Sequence, residues 1–411
     1  MHPPKDDRIY YKQVLSLVER YPAITLIAPL ENGAPAEFHP SVRFIPLPKA
    51  SGIIGRLRSI LTAAVMVRRM NPDVCHFHDF DLILAVPLIR MFKKIRVVYD
   101  SHEAYPEMFK RSPRLPRFLR NPGARIVNAV EKGLARWCTL VVTADEATAE
   151  SFRRNGIFAT AVYNFPPLGL FTPDPETEEI LKRRYSGRSL LIYQGTMGRD
   201  RGLFHMLRAM AIVHRQDTSI LLLLVGLDDP VLHREALDRI RSLGIENAVE
   251  ILPWVDHEDI GSYMRICDIG LIPLQPREKY MMNIPIKLFE YMACELPILS
   301  ANLPPIVRFL SPSGAGRLYD STDDRALAEG VLDMLADPDG LRRMGKKGLD
   351  SVKVSWNWSQ MELKLLDIYR YIETAGEKGA IASARRGRLG QWFPAQHPAV
   401  GSSCPPGGRR Q

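Results

Sequence analysis

Twelve short runs dense in valine, isoleucine and leucine recur between residues 24 and 319 of this 411-residue chain, each followed by a longer stretch with helical spacing. Runs that are apolar at nearly every position suit strands buried on both faces. Such strands, alternating with helices, build parallel sheets under helical cover. The predicted strands of the first part are 24–28, 43–47, 74–77, 96–99, 140–143 and 159–163. After Asn164-Phe-Pro-Pro the pattern restarts, with strands at 190–194, 220–225, 249–252, 269–272, 298–300 and 316–319. The expected fold class is α/β, with two doubly wound, Rossmann-like domains facing a cleft, over residues 1–165 and 166–360. Residues 376–411 are rich in Gly, Pro, Ser, Ala and Arg without periodicity and read as a disordered basic tail.

One irregularity stands out. A doubly wound domain opens with the central strand of its sheet, followed by a phosphate-facing loop and a helix. Here the first element is a helix over residues 8–20, with no strand before it. A sheet without its central strand leaves unpaired backbone groups in its interior. The expectation is that the first strand of the N-terminal domain is missing from this sequence and that the true start lies upstream.

Composition narrows the function classes. With 46% hydrophobic and 25% charged residues the chain is globular rather than disordered, collagenous or a disulfide scaffold. Five scattered cysteines without a CxxC pair argue against a disulfide framework or a structural zinc site and fit a reducing cytoplasm. No apolar run reaches the length of a membrane-spanning helix, and the N-terminus lacks the apolar core of a signal peptide.

The formal net charge of +9 points to an acidic partner and is unevenly spread: residues 1–165 carry +9, 166–375 carry −5 and 376–411 carry +5. Within the first domain, residues 49–69 place Arg56, Arg58 and Arg68 among Ile53, Ile54, Leu57, Ile60, Leu61 and Val65 with no acid. Residues 110–125 hold six basic side chains and no acid. Two readings stand side by side. One is solvated helix faces; the other is a basic amphipathic surface resting on anionic lipid, at the inner face of the cell membrane. No aromatic-interleaved basic stripe supports nucleic-acid binding.

The chemistry-bearing residues gather at strand ends. There is no G-x-S-x-G elbow, P-loop or G-x-G-x-x-G, so nucleophilic catalysis finds little support. Tyr193-Gln-Gly-Thr-Met-Gly-Arg-Asp-Arg-Gly-Leu reads as a strand, a turn carrying Gly195, Arg199 and Arg201, and a helix over 203–214. Backbone amides at that helix start, with an arginine beside them, suit a diphosphate. In residues 283–300 a loop with Pro285 feeds a helix carrying Glu290, which by itself reads as a solvated first-turn carboxylate favoured by the helix dipole. In the first domain, His76, His78, Asp79, Asp100, His102 and Glu103 lie at the carboxyl ends of strands, where open α/β sheets bind ligands. His76, His78 and Asp79 lack the further ligands a metal needs, so no metal is expected, and His76 suits packing and one hydrogen bond.

Together these segments resemble retaining glycosyltransferases of family 4 with the two-domain GT-B architecture, from the Asp-Asp-Arg-Ile start at residues 6–9 to about residue 372. The carriers are that start, Tyr-Asp-Ser-His-Glu at 99–103, Tyr-Gln-Gly with Arg201-Gly-Leu, and Pro285 followed by Lys-Leu-Phe-Glu-Tyr-Met-Ala-Cys. The resemblance implies a donor side formed by Gly195, Arg199, Arg201, Trp254, Val255, Asn283, Lys287 and Glu290. Glu290 would hold the ribose, Arg201 the diphosphate without a metal, and Trp254 and Val255 would border the base. It implies an acceptor side with catalytic His102 and, around it, Arg8, His78, Asp79 and Glu103, and a helix over 361–375 returning to the first domain. Three positions depart from the family pattern: Met282 where a first Glu is usual, with Asn283 beside it as substitute, Thr196 where a second Arg is common, and Glu295 for a Gly.

The implied activity is transfer of a sugar from a nucleotide diphosphate sugar to a hydroxyl acceptor, saccharide or lipid-linked, with retention, in cell-surface polysaccharide or glycolipid assembly. No cofactor is expected, since the nucleotide sugar is a substrate. A nucleotide-sugar epimerase of the same fold, or a catalytically degenerate binding partner, is the alternative.

Overall fold

The computed structural model describes residues 3–29, 37–48, 52–91, 94–102, 105–111 and 116–374. The tail at 376–411 and Glu103 lie outside the described residues. Contacts divide the chain into two compact units: unit 1 runs to Tyr163 and resumes at Glu362, and unit 2 is Asn164–Met361.

Each predicted strand is present, shifted by at most two residues at an end. In unit 1 these are β1 (Ile24–Pro29), β2 (Val42–Leu47), β3 (Val74–His78), β4 (Arg96–Ser101), β5 (Leu140–Thr143) and β6 (Ala159–Ala161). In unit 2 they are β7 (Ser189–Gln194), β8 (Ile220–Val225), β9 (Val249–Leu252), β10 (Ile269–Ile272), β11 (Ile298–Ala301) and β12 (Gly316–Tyr319). The helices used below are α1 (Gly52–Met70), α2 (Arg117–Ala135), α3 (Leu203–His214), α4 (Pro230–Leu243), α5 (Lys287–Ala293) and α6 (Trp358–Thr374).

Unit 2 is a doubly wound sheet of six parallel strands in the order β12-β11-β10-β7-β8-β9. Its first strand, β7, lies at the middle, so the strand order reverses beside it, and that is where open α/β sheets bind ligands. Local chemistry sets the helix ends. Before α4 the Asp229 carboxylate accepts the N–H groups of Val231 and Leu232, Pro230 takes the first turn, and Gly244 closes the helix at φ 66°. Ahead of α3, Gly202 adopts φ +85°, and a Cβ there would fall 2.1 Å from the Pro273 carbonyl oxygen. Only glycine fits this approach of the loop to β10.

Unit 1 differs. Its strands form two separate parallel sheets, β1-β2 and β3-β4-β5-β6. The chain opens with a helix of wide π-type turns, Asp7–Val14, continuing as Leu15–Val18. The Asp6 carboxylate caps it by accepting the N–H groups of Arg8 at 2.9 Å and Ile9 at 3.0 Å. Among the described residues, no strand joins β1 to β3.

A buried charge pair ties this helix to β4. Arg8 donates from Nε to Asp100 Oδ2 at 3.1 Å and from Nη2 to Oδ1 at 3.2 Å, and its Nη1 reaches the Val162 carbonyl at 2.9 Å. Gln13 adds a donor to Asp100 Oδ2 at 2.6 Å. Burial, the largest single influence, would raise the Asp100 carboxyl, but the Arg8 guanidinium together with His78, His102 and His76 outweighs it and holds the group well below the usual carboxylate range. Arg8 is thus committed to packing the N-terminal helix on the sheet.

Helix α6 starts in unit 2, where the Trp358 N–H donates to the Pro166 carbonyl at 3.0 Å. It finishes in unit 1, where the Tyr369 hydroxyl meets His76 Nδ1 at 2.9 Å. Arg8→Met is expected to cost about 3–5 kcal/mol in chemical denaturation, because it leaves the Asp100 carboxylate buried without its cation. Arg8→Met combined with Asp100→Leu should cost less than the single change.

Candidate functional site

The site in unit 2 is built on the carboxyl end of β7. Gly195 follows the strand at φ +90° and donates its N–H to the Val225 carbonyl at 3.0 Å. Beside it Gly226 follows β8 at φ +93°, and a Cβ there would lie 3.0 Å from the Trp254 ring and 3.4 Å from the Gly195 carbonyl oxygen. The Trp254 indole therefore lies on bare backbone next to Gly195, about half exposed, a flat apolar face at the mouth of the sheet.

Two cations converge on the same turn. Lys287, at the start of α5, is buried and donates from Nζ to the Gln194 carbonyl at 2.7 Å, with Nζ 3.5 Å from the centre of the Tyr193 ring. Arg201 donates from Nη1 to the Thr196 carbonyl at 3.2 Å. Burial first, and then the neighbouring Arg201 charge, push the Lys287 ammonium down to about 7, with Glu290 partly opposing them. Glu290, one turn along α5, accepts a hydrogen bond from the Gln194 side-chain amide. Gly195, Arg201, Trp254, Lys287 and Glu290 are thereby gathered around one turn at the switch point. Val255, next to Trp254, and Asn283, in the loop before α5, are half-buried.

Arg199 goes elsewhere. It pairs with Glu235 on α4 and stacks on Phe204, with its guanidinium carbon 5.0 Å from the ring centre, and stays largely exposed. Sequence reasoning passed over Tyr193 and Gln194. Their backbone and side chains hold the lysine and the glutamate, and the signal for them was adjacency to Gly195 at the end of a buried strand.

In unit 1, Asp100 is the hub. His78 Nδ1 stands 3.5 Å from Asp100 Oδ2 and His102 Nδ1 stands 3.9 Å from Oδ1. His76 stacks on His78 at 4.8 Å between ring centres. Burial holds His78 well below its ordinary value despite Asp100, and holds His76 down to about 4, so both are neutral near pH 7. Asp79, directly after β3, adopts a left-handed backbone conformation, φ 84°. His76, His78 and Asp100, rather than Asp79, bring candidate ligand atoms within 4.8 Å of one another. The Asp100 oxygens are already taken by Arg8 and Gln13, so a cation there would have to displace a buried guanidinium.

Residues 11–165 match the family described as Glycosyltransferase Family 4, and residues 176–350 match the one described as Glycosyl transferases group 1. The chain belongs to glycosyltransferase family 4. Among its relatives is the GDP-mannose-dependent alpha-(1-6)-phosphatidylinositol monomannoside mannosyltransferase of Mycolicibacterium smegmatis. The two are 24% identical over 218 residues, which is 51% of this chain and 56% of the relative. The chain thus spans about half the length of the curated relatives it matches.

Solved structures of the same fold include the sucrose-phosphate synthase of Thermosynechococcus elongatus, with TM-score 0.70 at 18% identity over 89% of this chain and 92% of that one. Anabaena HepE in complex with UDP-glucose superposes with TM-score 0.64 at 15% identity, over 80% and 86%. The architecture of this family 4 member is GT-B.

A buried ammonium kept against burial works against stability. Its proton affinity is lower in the folded than in the unfolded protein, so folded stability rises with pH from about 7 up to the ordinary lysine range. Thermal melts of Lys287→Met are expected above those of the wild type at pH 6–7. The gap should narrow as the pH climbs above 7 towards the ordinary lysine range.

Proposed function

We propose that this family 4 glycosyltransferase moves a hexosyl group from a nucleotide diphosphate sugar to a lipid-linked or saccharide hydroxyl, with retention of anomeric configuration and without a metal. The observation that carries the reading is the convergence of Arg201, Lys287 and Glu290 on the Gly195 turn, at the switch point of unit 2. In the transfer, the bond from the sugar C1 to the β-phosphate oxygen breaks and a bond from C1 to the acceptor oxygen forms. The acceptor proton leaves with the diphosphate.

Negative charge grows on the leaving diphosphate, and two cations fixed beside the turn stabilise it where it develops. Arg201 and Lys287 fill that role, with the backbone amides at the start of α3 facing the phosphates. Glu290, a carboxylate with spare acceptor capacity, takes the ribose hydroxyls, and the exposed face of Trp254 takes the base. In unit 1, His102 is assigned to the acceptor hydroxyl or the transferred sugar. The M. smegmatis relative is named for GDP-mannose and a phosphatidylinositol mannoside, which makes a lipid-linked acceptor the favoured class.

Unit 1 carries surfaces suited to lipid. On α1, Ile53 and Ile54 are 80% and 78% exposed, with Leu57, Leu61 and Val65 also outward and Arg56 and Arg58 among them. Ile60 faces inward, and Arg68 is tied to the carbonyls of Leu88 and Met91, so the outward stripe is narrower than the sequence implied. Helix α2 adds exposed Phe118, Leu119 and Ile126 beside Arg125. Among the described residues, no helix is long and apolar enough to cross a membrane. An apolar stripe flanked by arginines binds at the headgroup boundary, each cation adding about 1 kcal/mol near an anionic surface.

Incubation with GDP-mannose or UDP-glucose and a lipid extract should release nucleoside diphosphate, and Glu290→Ala should slow that release about 10- to 100-fold, the worth of charged hydrogen bonds to the donor. Equal release from both proteins would remove the assignment. Co-sedimentation with phosphatidylserine vesicles is expected at low salt, weakening as salt rises and after Arg56→Glu with Arg58→Glu. Binding indifferent to lipid charge and salt would remove the membrane reading.

A further inference from the structure

Residues 199–201 put three charges side by side, Arg199, Asp200 and Arg201, in the turn between β7 and α3. A carboxylate is the ordinary partner of a guanidinium, and one on the next residue competes for it with any phosphate that arrives. The structure sends the three apart. Arg199 pairs with Glu235 on α4. Asp200 accepts a hydrogen bond at Oδ2 from the Tyr280 hydroxyl, 80 residues along the chain, at 2.9 Å. Arg201 gives Nη1 to a neutral acceptor, the Thr196 carbonyl, at 3.2 Å, and among the described residues it makes no ion pair with Asp200.

The seat of the Asp200 carboxylate is built from both sides. Tyr280 lies in a single helical turn, Glu278–Met281, between β10 and α5, and is buried, so its hydroxyl has a fixed position. Burial first, and then the bond to Asp200, push that hydroxyl up to about 12 against the opposing charge of Arg201, so it stays protonated and donates. On the other side, Gly198 leaves the space that Oδ1 occupies: a Cβ there would fall 2.9 Å from it. The Asp200 carbonyl also accepts the Gln275 N–H at 3.0 Å, so backbone and side chain of Asp200 are both held on the segment after β10.

We propose that Tyr280 is a positioning residue for the donor: its hydroxyl holds the Asp200 carboxylate off the neighbouring guanidinium and so keeps Arg201 open to the diphosphate. The inference rests on the assignment of Arg201 to the donor diphosphate. Thr196 takes one of the five N–H groups of Arg201. A carboxylate paired bidentately would take two more and cancel the charge that the leaving group needs. Without the tyrosine hydroxyl, the Asp200 carboxylate loses its partner and swings to the adjacent guanidinium.

Affinity for UDP and for GDP, measured by titration calorimetry on the full chain, is expected to fall about fivefold in Tyr280→Phe, the upper end for an ion pair formed at a partly exposed site. Asp200→Asn added to Tyr280→Phe should recover most of that loss. The recovery should exceed the factor by which Asp200→Asn changes the parent protein, where the carboxylate is already turned away. A loop merely loosened by the missing hydroxyl would gain nothing special from the second change, so equal factors in the two backgrounds overturn the proposal. The ligand-free crystal structure of Tyr280→Phe gives a reading that needs no nucleotide: Asp200 paired with Arg201 is expected, and Asp200 in any other place overturns the proposal. Failure of the wild type to bind UDP or GDP would strike the donor assignment alone, and the restraint on Asp200 would then stand or fall by that crystal structure.

Discussion

A parallel sheet is stable only when each interior strand finds hydrogen-bond partners on both sides, and this constraint governs both units. In unit 2 it is met by β7, whose six residues pair with β8 on one side and whose Leu191 and Ile192 pair with β10 on the other. Because β7 is fully embedded, its carboxyl end is a fixed point, and the residues that follow inherit that fixity. Gly195 and Gly226 leave the backbone bare there, Trp254 lies against it, and Lys287 reaches across from α5 to the last carbonyl of the strand. The chemistry of the site is a consequence of where the central strand stops.

The same constraint explains the uneven character of unit 1. Its polar hub is Asp100, which accepts hydrogen bonds from Arg8 and Gln13, beside His76 and His78, which burial keeps neutral. Among the described residues its strands fall into two separate sheets, β1-β2 and β3-β4-β5-β6. A buried ion pair ties the N-terminal helix to β4.

Much of this was legible in the sequence. The strands are apolar at almost every position, which is the mark of burial on both faces, and the restart after Asn164 marked the second unit. Glu290 stood out on the helix that follows Pro285 and Arg201 in the turn that carries Gly195, and the structure brings the two to one turn. Other features needed coordinates. Arg199 and Arg201 are indistinguishable by spacing, yet one turns to Glu235 on α4 and the other to Thr196. Arg8 looked like a ligand group and is spent on Asp100, a partner 92 residues away that no local pattern announces. Ile60 and Arg68 broke the outward stripe of α1 because the helix packs on its neighbours at those positions. The role of Gln194 came from its backbone carbonyl, on which side-chain identity is silent.

Gly202 shows how tightly the loop after β7 is drawn. Its backbone passes so close to the Pro273 carbonyl that no side chain can intervene. The loop from Gly195 to α3 is therefore clamped between two strands rather than hanging from one, and Arg201 sits at the clamp. A ligand arriving at this turn meets charges already in place, so little conformational entropy is left to be lost when it binds, and the affinity of the site depends on the rigidity of a backbone contact that touches no ligand.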